Sequence, residues 1–138
     1  MENYDVAVVR CKTYDVEAVK PALEEALNAV NGLDFVMPGM KIIIKPNLVS
    51  FKKPDAAATT HPALLEALVE MLLARGAGVT IGDSPGGPHS LPLLNRVYAA
   101  TGMDRLEKLG AKLNRNMNEK TVDFPEGKVL KNFTYTEY

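Results

Sequence analysis

The chain has 138 residues, of which 46% are hydrophobic and 24% are charged, the balance of a folded globular domain. This balance excludes a mainly disordered chain, a collagen-like chain and a small protein held together by disulfides. The formal net charge is −1, so no overall field attracts nucleic acid or anionic lipid, and we expect neither a nucleic acid nor a membrane as a partner. We expect one α/β domain over residues 1–138.

Thiol and imidazole groups are scarce in this sequence. Only Cys11, His61 and His89 carry them, whereas an iron–sulfur cluster or a structural zinc site normally needs about four ligands. We therefore expect no metal and no cofactor in this chain, with Cys11 as a small buried thiol. The polar N-terminus and the short apolar runs, far below the roughly 20 residues of a membrane span, predict a cytoplasmic protein.

The first third of the chain alternates strand and helix patterns. The apolar run at residues 6–9 predicts a first strand, and the isoleucines at 42–44 predict a second, typical of a central parallel strand buried on both faces. Between them, apolar residues at steps of three and four over 15–32 predict a helix. Pro21 fits only a first turn, so either the helix begins near Pro21 or residues 15–20 form a separate turn.

The same alternation continues to about residue 109. A polar loop over residues 50–60 precedes a helix predicted for 62–75, and a third strand is predicted for 79–81. The next helix begins after Ser90, a typical N-cap, and is followed by a short amphipathic piece at 103–109. This order predicts an α/β fold of three layers, βαβαβα, with a mostly parallel sheet.

The C-terminal part gives a weaker pattern. Residues 122–130 predict a β-hairpin around a turn that contains Pro125. Residues 132–138 are strand-like and have no polar tail, which is typical of an interrupted domain. We therefore expect an incomplete domain, the N-terminal fragment of a longer protein. Its partners would be the missing C-terminal part of the chain and a second copy, the latter paired through the final strand.

Polar segments follow two of the predicted strands. Lys-Pro-Asn comes after the second strand and Gly-Asp-Ser-Pro-Gly-Gly after the third. In an open parallel sheet, ligands bind outside the carboxyl ends of the strands, and the helix at 62–75 must begin at that edge too. The predicted ligand-binding residues are Lys45, Asn47, Thr60, His61, Asp83, Ser84, Gly86 and Gly87.

The chemistry of this edge suits a small anion. Helix N-termini offer unpaired N–H groups, glycines allow close approach to the backbone, and Lys45 adds a positive charge. Neither the dinucleotide fingerprint nor the phosphate-binding loop of nucleotide hydrolases is present. Each residue also has a structural explanation: Lys45 as a solvated strand end, Thr60 or His61 as a helix cap, and Asp83 with Ser84 as a turn.

Three segments, VAVVRC, GMKIIIKPNLVS and TTHPALLEALVEMLLARGAGVTIGDSPGG, occur in this order. They resemble the N-terminal part of the domain of unknown function 362 family (DUF362), over about residues 5–115. Longer members of that family carry a cysteine-rich, ferredoxin-like iron–sulfur segment further along the chain. The resemblance thus implies an iron–sulfur cluster outside these 138 residues, and it implies no particular reaction.

Three functions remain open at this point. The first is the ligand-binding α/β part of an iron–sulfur redox protein, with an anion at the strand ends. The second is a catalytic half-domain in which Lys45, His61 and Asp83 carry out acid–base chemistry on a small anionic substrate. The third is a scaffold or interaction domain with no small ligand. The sequence does not decide whether the protein is an enzyme.

Overall fold

A computed structural model describes residues 6–88 and 90–137, so His89 and the last residue of the predicted final strand lie outside the described part. The helices are α1 (Val16–Ala29), α2 (Pro62–Ala74) and α3 (Leu91–Thr101), and short 3-10 helices span Pro54–Ala56 and Met103–Leu109. The strands are β1 (Lys41–Ile44), β2 (Gly78–Ile81), β3 (Lys112–Leu113), β4 (Glu119–Asp123) and β5 (Asn132–Thr136).

The first three strands form a parallel sheet in the order β1-β2-β3, and β4 and β5 form a separate antiparallel hairpin. Helices alternate with the parallel strands, so the predicted α/β class with a C-terminal hairpin is confirmed. The strand order follows the chain order. With the usual right-handed crossovers, α2 and α3 therefore lie on the same face of the sheet.

The core occupies that one face of the sheet. The register aligns Ile44 with Ile81 and Ile81 with Leu113, and all three pack into the cluster that holds the buried residues of α2 and α3. On the opposite face Ile43 lies beside Thr80, and 54% of the Ile43 surface is exposed. Among the described residues, the helices cover one face of this sheet and the other face of β1 is open, so the predicted third layer is not formed by them.

The strand predicted for residues 6–9 is wrong. That segment pairs with no strand, and Val6 and Val8 are 75% and 93% exposed. The predicted central position of β1 is wrong too. Among residues 6–88 and 90–137, β1 pairs with β2 alone, and Ile43 is open to solvent. Branched side chains favour extended backbone, but a strand is stabilised by cross-strand neighbours, which this run lacks.

Both interpretations of the first helix are also corrected. Helix α1 starts at Val16 and passes through Pro21 without a break. Asp15 occupies the N-cap position, but its side chain makes no cap hydrogen bond and instead accepts one from the Thr13 hydroxyl, at 2.9 Å. Pro21 is exposed. A proline ring on the solvent side avoids the core, while it still removes one helical hydrogen bond.

The connection between the two strands of the hairpin is longer than predicted. Val129 and Leu130, expected in the second strand, belong to the connection and are 87% and 63% exposed. The final strand β5 pairs with β4 of the same chain over five residues, from Glu119 opposite Thr136 to Asp123 opposite Asn132. One edge of β5 is therefore already used, and self-association through its other edge stays a prediction.

Because the core lies on one face of the sheet, replacing two of its isoleucines should lower the free energy of unfolding by different amounts. Ile81 is fully buried and Ile43 is 54% exposed. Ile81→Ala should lower the free energy of unfolding by about 2–5 kcal/mol, and Ile43→Ala by about 1 kcal/mol or less. Urea unfolding with an unchanged m-value measures both. Equal losses in the two variants would contradict the open face.

Candidate functional site

The carboxyl ends of β1 and β2 lie side by side at one edge of the sheet. Ile44 is aligned with Ile81, and the N–H of Gly82 donates to the carbonyl of Ile44 at 3.1 Å. The chain leaves both strands at this edge, as residues 45–49 and 82–87. We call these the first and second rim loops.

Asp83 joins the two rim loops. Its side chain is 5% exposed, its Oδ1 lies 2.6 Å from Nζ of Lys45, and its Oδ2 accepts a 2.8 Å hydrogen bond from the N–H of Leu48. A second tie runs between the backbones, where the N–H of Gly86 donates to the carbonyl of Val49 at 3.0 Å. Both carboxylate oxygens are therefore used in holding the first loop against the second.

The two charges of the ion pair differ in their access to water. The Lys45 side chain is 69% exposed, whereas Asp83 is almost wholly covered. The Lys45 ammonium has three N–H donors, and buried Asp83 contacts it from the side of the protein interior. The positive end of the pair is thus presented outward, and the negative end is turned into the protein.

Asn47 and Thr60 close the segment between them into a loop. The N–H of Asn47 donates to Oγ1 of Thr60, and the N–H of Thr60 donates back to the carbonyl of Asn47, both at 2.9 Å. The side-chain amide of Asn47 donates to the carbonyl of Ala58 at 3.5 Å. These contacts bring Thr60 to the first rim loop and give both residues a structural role there.

His61 is the N-cap of α2. Its Nδ1 accepts a hydrogen bond from the N–H of Ala63 at 3.2 Å, so the neutral ring carries its proton on Nε2. Burial, and then the positive charge of Arg105, hold the pKa of His61 below its ordinary value, while Asp55 acts in the opposite direction. The Tyr14 ring stacks on the imidazole, with 3.8 Å between ring centroids.

The remaining candidates lie in the second rim loop. Ser84 is exposed. Gly87 has φ +110°, which an L side chain rarely adopts, and a Cβ there would stand 3.2 Å from Leu93. Glycine at this position is therefore required by the backbone. Of the eight candidate residues, the contacts tie Lys45, Asn47, Thr60, Asp83 and Gly86 directly to the loops, while His61, Ser84 and Gly87 are their chain neighbours.

Sequence patterns do not reveal an aromatic–cation pair beside the rim. Arg96 of α3 lies over the Phe51 ring, with its guanidinium carbon 5.3 Å from the centroid. Lys52 and Lys53 directly follow Phe51 in the chain. Within the described part of the chain, these three cations form no ion pair. Phe51 and Arg96 are far apart in sequence, so no local spacing indicates their contact.

The expectation that Cys11 is buried is wrong. Its thiol is exposed and donates to the carbonyl of Thr13 at 3.2 Å. The unpaired segment at its N-terminal side gives it no cover. In residues 6–88 and 90–137, no group of three or more His, Cys, Asp or Glu side chains is placed to hold a metal ion.

The family comparison matches the part of the chain that builds the rim. The sequence model of the domain of unknown function DUF362 matches residues 42–137, more than half of the chain. The chain belongs to the DUF362 family. The matched region begins in β1 and contains both rim loops, with their segments KPN and GDSPGG. The segment VAVVRC lies before it.

A curated relative shares part of this DUF362 region. The thylakoid-associated protein sll1697 of Synechocystis is 28% identical over 81 residues, which cover 58% of this chain and 25% of the relative. The chain thus spans about a quarter of the length of the curated relative it matches. No solved structure matched the chain. None of the helices in the described residues has the length and apolar character needed to cross a membrane.

The lowered pKa of His61 predicts a pH-dependent stability. The folded protein disfavours the protonated ring, so below pH 6.5, the ordinary pKa of this residue, the unfolded state binds more protons. Stability from this group is complete above that value and is lost as the pH falls towards the folded pKa. His61→Asn keeps an N-cap acceptor without titrating.

Urea unfolding of both proteins, between about pH 7.5 and pH 5.5, tests this linkage. We expect the stability of the wild type to fall relative to that of His61→Asn as the pH is lowered. Parallel pH profiles would show that His61 titrates alike in the folded and unfolded states, against the account above.

Proposed function

We propose that this domain binds a small oxyanion, such as a phosphate or a carboxylate, between the two rim loops. The observation that carries the proposal is the Asp83 bridge, which holds the loops together and leaves the Lys45 ammonium on the outside. Lys45 and the Ser84 hydroxyl are the ligand contacts we assign. The Gly86 and Gly87 backbone lets a ligand approach closely.

The charges near the rim support an anion. Lys45 is balanced by Asp83, so a positive excess must come from elsewhere. Lys52 and Lys53 follow Phe51 shortly after the first rim loop in the chain, and Arg96 lies over the Phe51 ring. The N-terminus of α2 begins at the same edge and carries partial positive charge. The three side chains Lys52, Lys53 and Arg96 are exposed, so the expected binding weakens with salt.

The geometry favours binding over acid–base catalysis. A general base needs a free lone pair and a proton donor within reach. Asp83 is 5% exposed and its oxygens face Lys45 and Leu48, so its remaining lone pairs are covered. Nδ1 of His61 already accepts from Ala63. The catalytic half-domain is therefore the second candidate, and a scaffold without a small ligand is the third.

In a longer protein, this domain would serve as the ligand-binding part of an iron–sulfur redox protein. The resemblance to longer DUF362 members implies this, with the cluster in a segment outside these 138 residues. The match to a quarter of a much longer relative is compatible with such an arrangement. Under this proposal the domain supplies the anion site, and electron transfer takes place elsewhere in the chain.

Titration with inorganic phosphate, followed by amide NMR shifts at matched ionic strength, tests the anion site. We expect saturable shifts at Leu48, Ser84 and Gly87. Lys45→Gln should weaken binding about fivefold or more, since it removes a charge-assisted contact. Lys108→Gln is the matched control, because this exposed lysine lies in the 3-10 helix that precedes β3, away from the carboxyl ends of the strands.

The other two functions predict different results. Shifts that are scattered, that do not saturate, or that Lys45→Gln and Lys108→Gln reduce equally would contradict the anion site and favour the scaffold. For the catalytic alternative, Asp83→Asn in the longer protein would abolish turnover while phosphate binding and stability persist. Under our proposal, the same variant loosens the loops and weakens phosphate binding.

A further inference from the structure

A second concave site lies on the helical side of the domain. The cavity is about 380 Å³ in volume and opens between residues 11–14 and one face of α1. Val19, Leu23 and Ala26 of that face line it, and Leu64 of α2 completes the wall. None of the eight rim candidates lines this cavity, so a ligand here would share no contact residue with the proposed anion site.

The floor of the cavity is apolar and well packed. Val19 is 5% exposed and belongs to a small core of its own with Ala63 and Ala67, which joins α1 to α2. Leu23 packs against this small core and against the main one. A floor with this packing is preformed, so a ligand would not have to order it on binding.

The wall formed by residues 11–14 is held in place from outside. Tyr14 stacks on His61, which is fixed as the N-cap of α2, and Thr13 bonds to Asp15 at the start of α1. This wall carries the one charged residue of the lining, Lys12. In the part of the chain that the structure describes, Lys12 has no ion-pair partner. The cavity thus combines apolar walls with one cation, Lys12, at its exposed side.

We propose that this cavity binds a small organic acid, with its apolar body on the α1 face and its carboxylate beside Lys12. An apolar cavity of about 150 Å³ holds the six carbons of benzene, so this cavity of about 380 Å³ has room for a body of roughly fifteen non-hydrogen atoms. A ligand without an apolar body would leave the α1 face uncovered. A ligand without an acid group would leave Lys12 unused.

Cys11 provides a readout at the site itself. It is the one cysteine of the sequence, its thiol is exposed, and it lines the cavity. The rate at which iodoacetamide alkylates Cys11 therefore reports on occupancy. Phenylbutyrate is the probe, phenylbutanol is its uncharged counterpart, and butyrate lacks the ring.

We expect phenylbutyrate to protect Cys11. At about ten times its Kd, alkylation should slow about elevenfold if only the empty site reacts. Phenylbutanol should protect less at the same concentration, and butyrate should not protect. Lys12→Gln should remove the preference for the acid over the alcohol, a difference of about fivefold or less for an exposed pair.

Filling the cavity gives the decisive control. Ala26→Leu places a larger side chain on the lining face and should abolish protection, while Ala74→Leu, at the exposed end of α2, should keep it. Both changes exchange good helix formers, so both variants should fold. Absent protection in the wild type, equal protection by acid and alcohol, or undiminished protection in Ala26→Leu would overturn the proposal.

Discussion

The Asp83 carboxylate is the interaction on which the candidate site depends. Two parallel strands bring their carboxyl ends to one edge, but they leave the loops beyond that edge unconstrained. Asp83 constrains them, because one oxygen accepts from the Leu48 backbone and the other faces Lys45. Leu48 is itself fully buried. Burying a carboxylate without such partners would lower the stability of the fold, so the buried position of Asp83 requires its contacts with Leu48 and Lys45.

The one-sided sheet decides where ligands can approach. All of the main core lies on the helical face, and the strand ends, rather than the sheet surface, carry the polar loops. The two proposed sites accordingly lie at the edge of the sheet and on the helix layer. Tyr14 connects them physically, since it lines the cavity and stacks on His61 at the edge.

Much of the central architecture follows from local sequence. The isoleucine run of β1 and the 79–81 run of β2 were predictable because they are branched, short and bounded by helix patterns. The exposed run at residues 6–9 shows the limit of that reasoning: the same residue types predict extended backbone but not a partner strand. Strand β3, with two residues, is too short to give any pattern.

The location of the candidate site was predictable, because it follows from the order and direction of the strands. Parallel strands in sequence order bring Asn47 and Asp83 to one edge, whatever their side chains do. The particular bonds were not predictable, because Asp83 bonds to Leu48 across 35 positions and no spacing rule covers such a contact. The stacking of Tyr14 on His61 and the position of Arg96 over Phe51 are long-range contacts of the same kind.

Amide hydrogen exchange at Leu48 tests the Asp83 bridge most directly. We compare the wild type with Asp83→Ala and use the Asn114 amide, bonded to the Ile81 carbonyl at 2.7 Å, as the reference for general destabilisation. The account predicts a protected Leu48 amide in the wild type. In Asp83→Ala, its exchange should be at least about tenfold faster relative to Asn114. An unprotected Leu48 amide in the wild type, or the same ratio in both proteins, would contradict it.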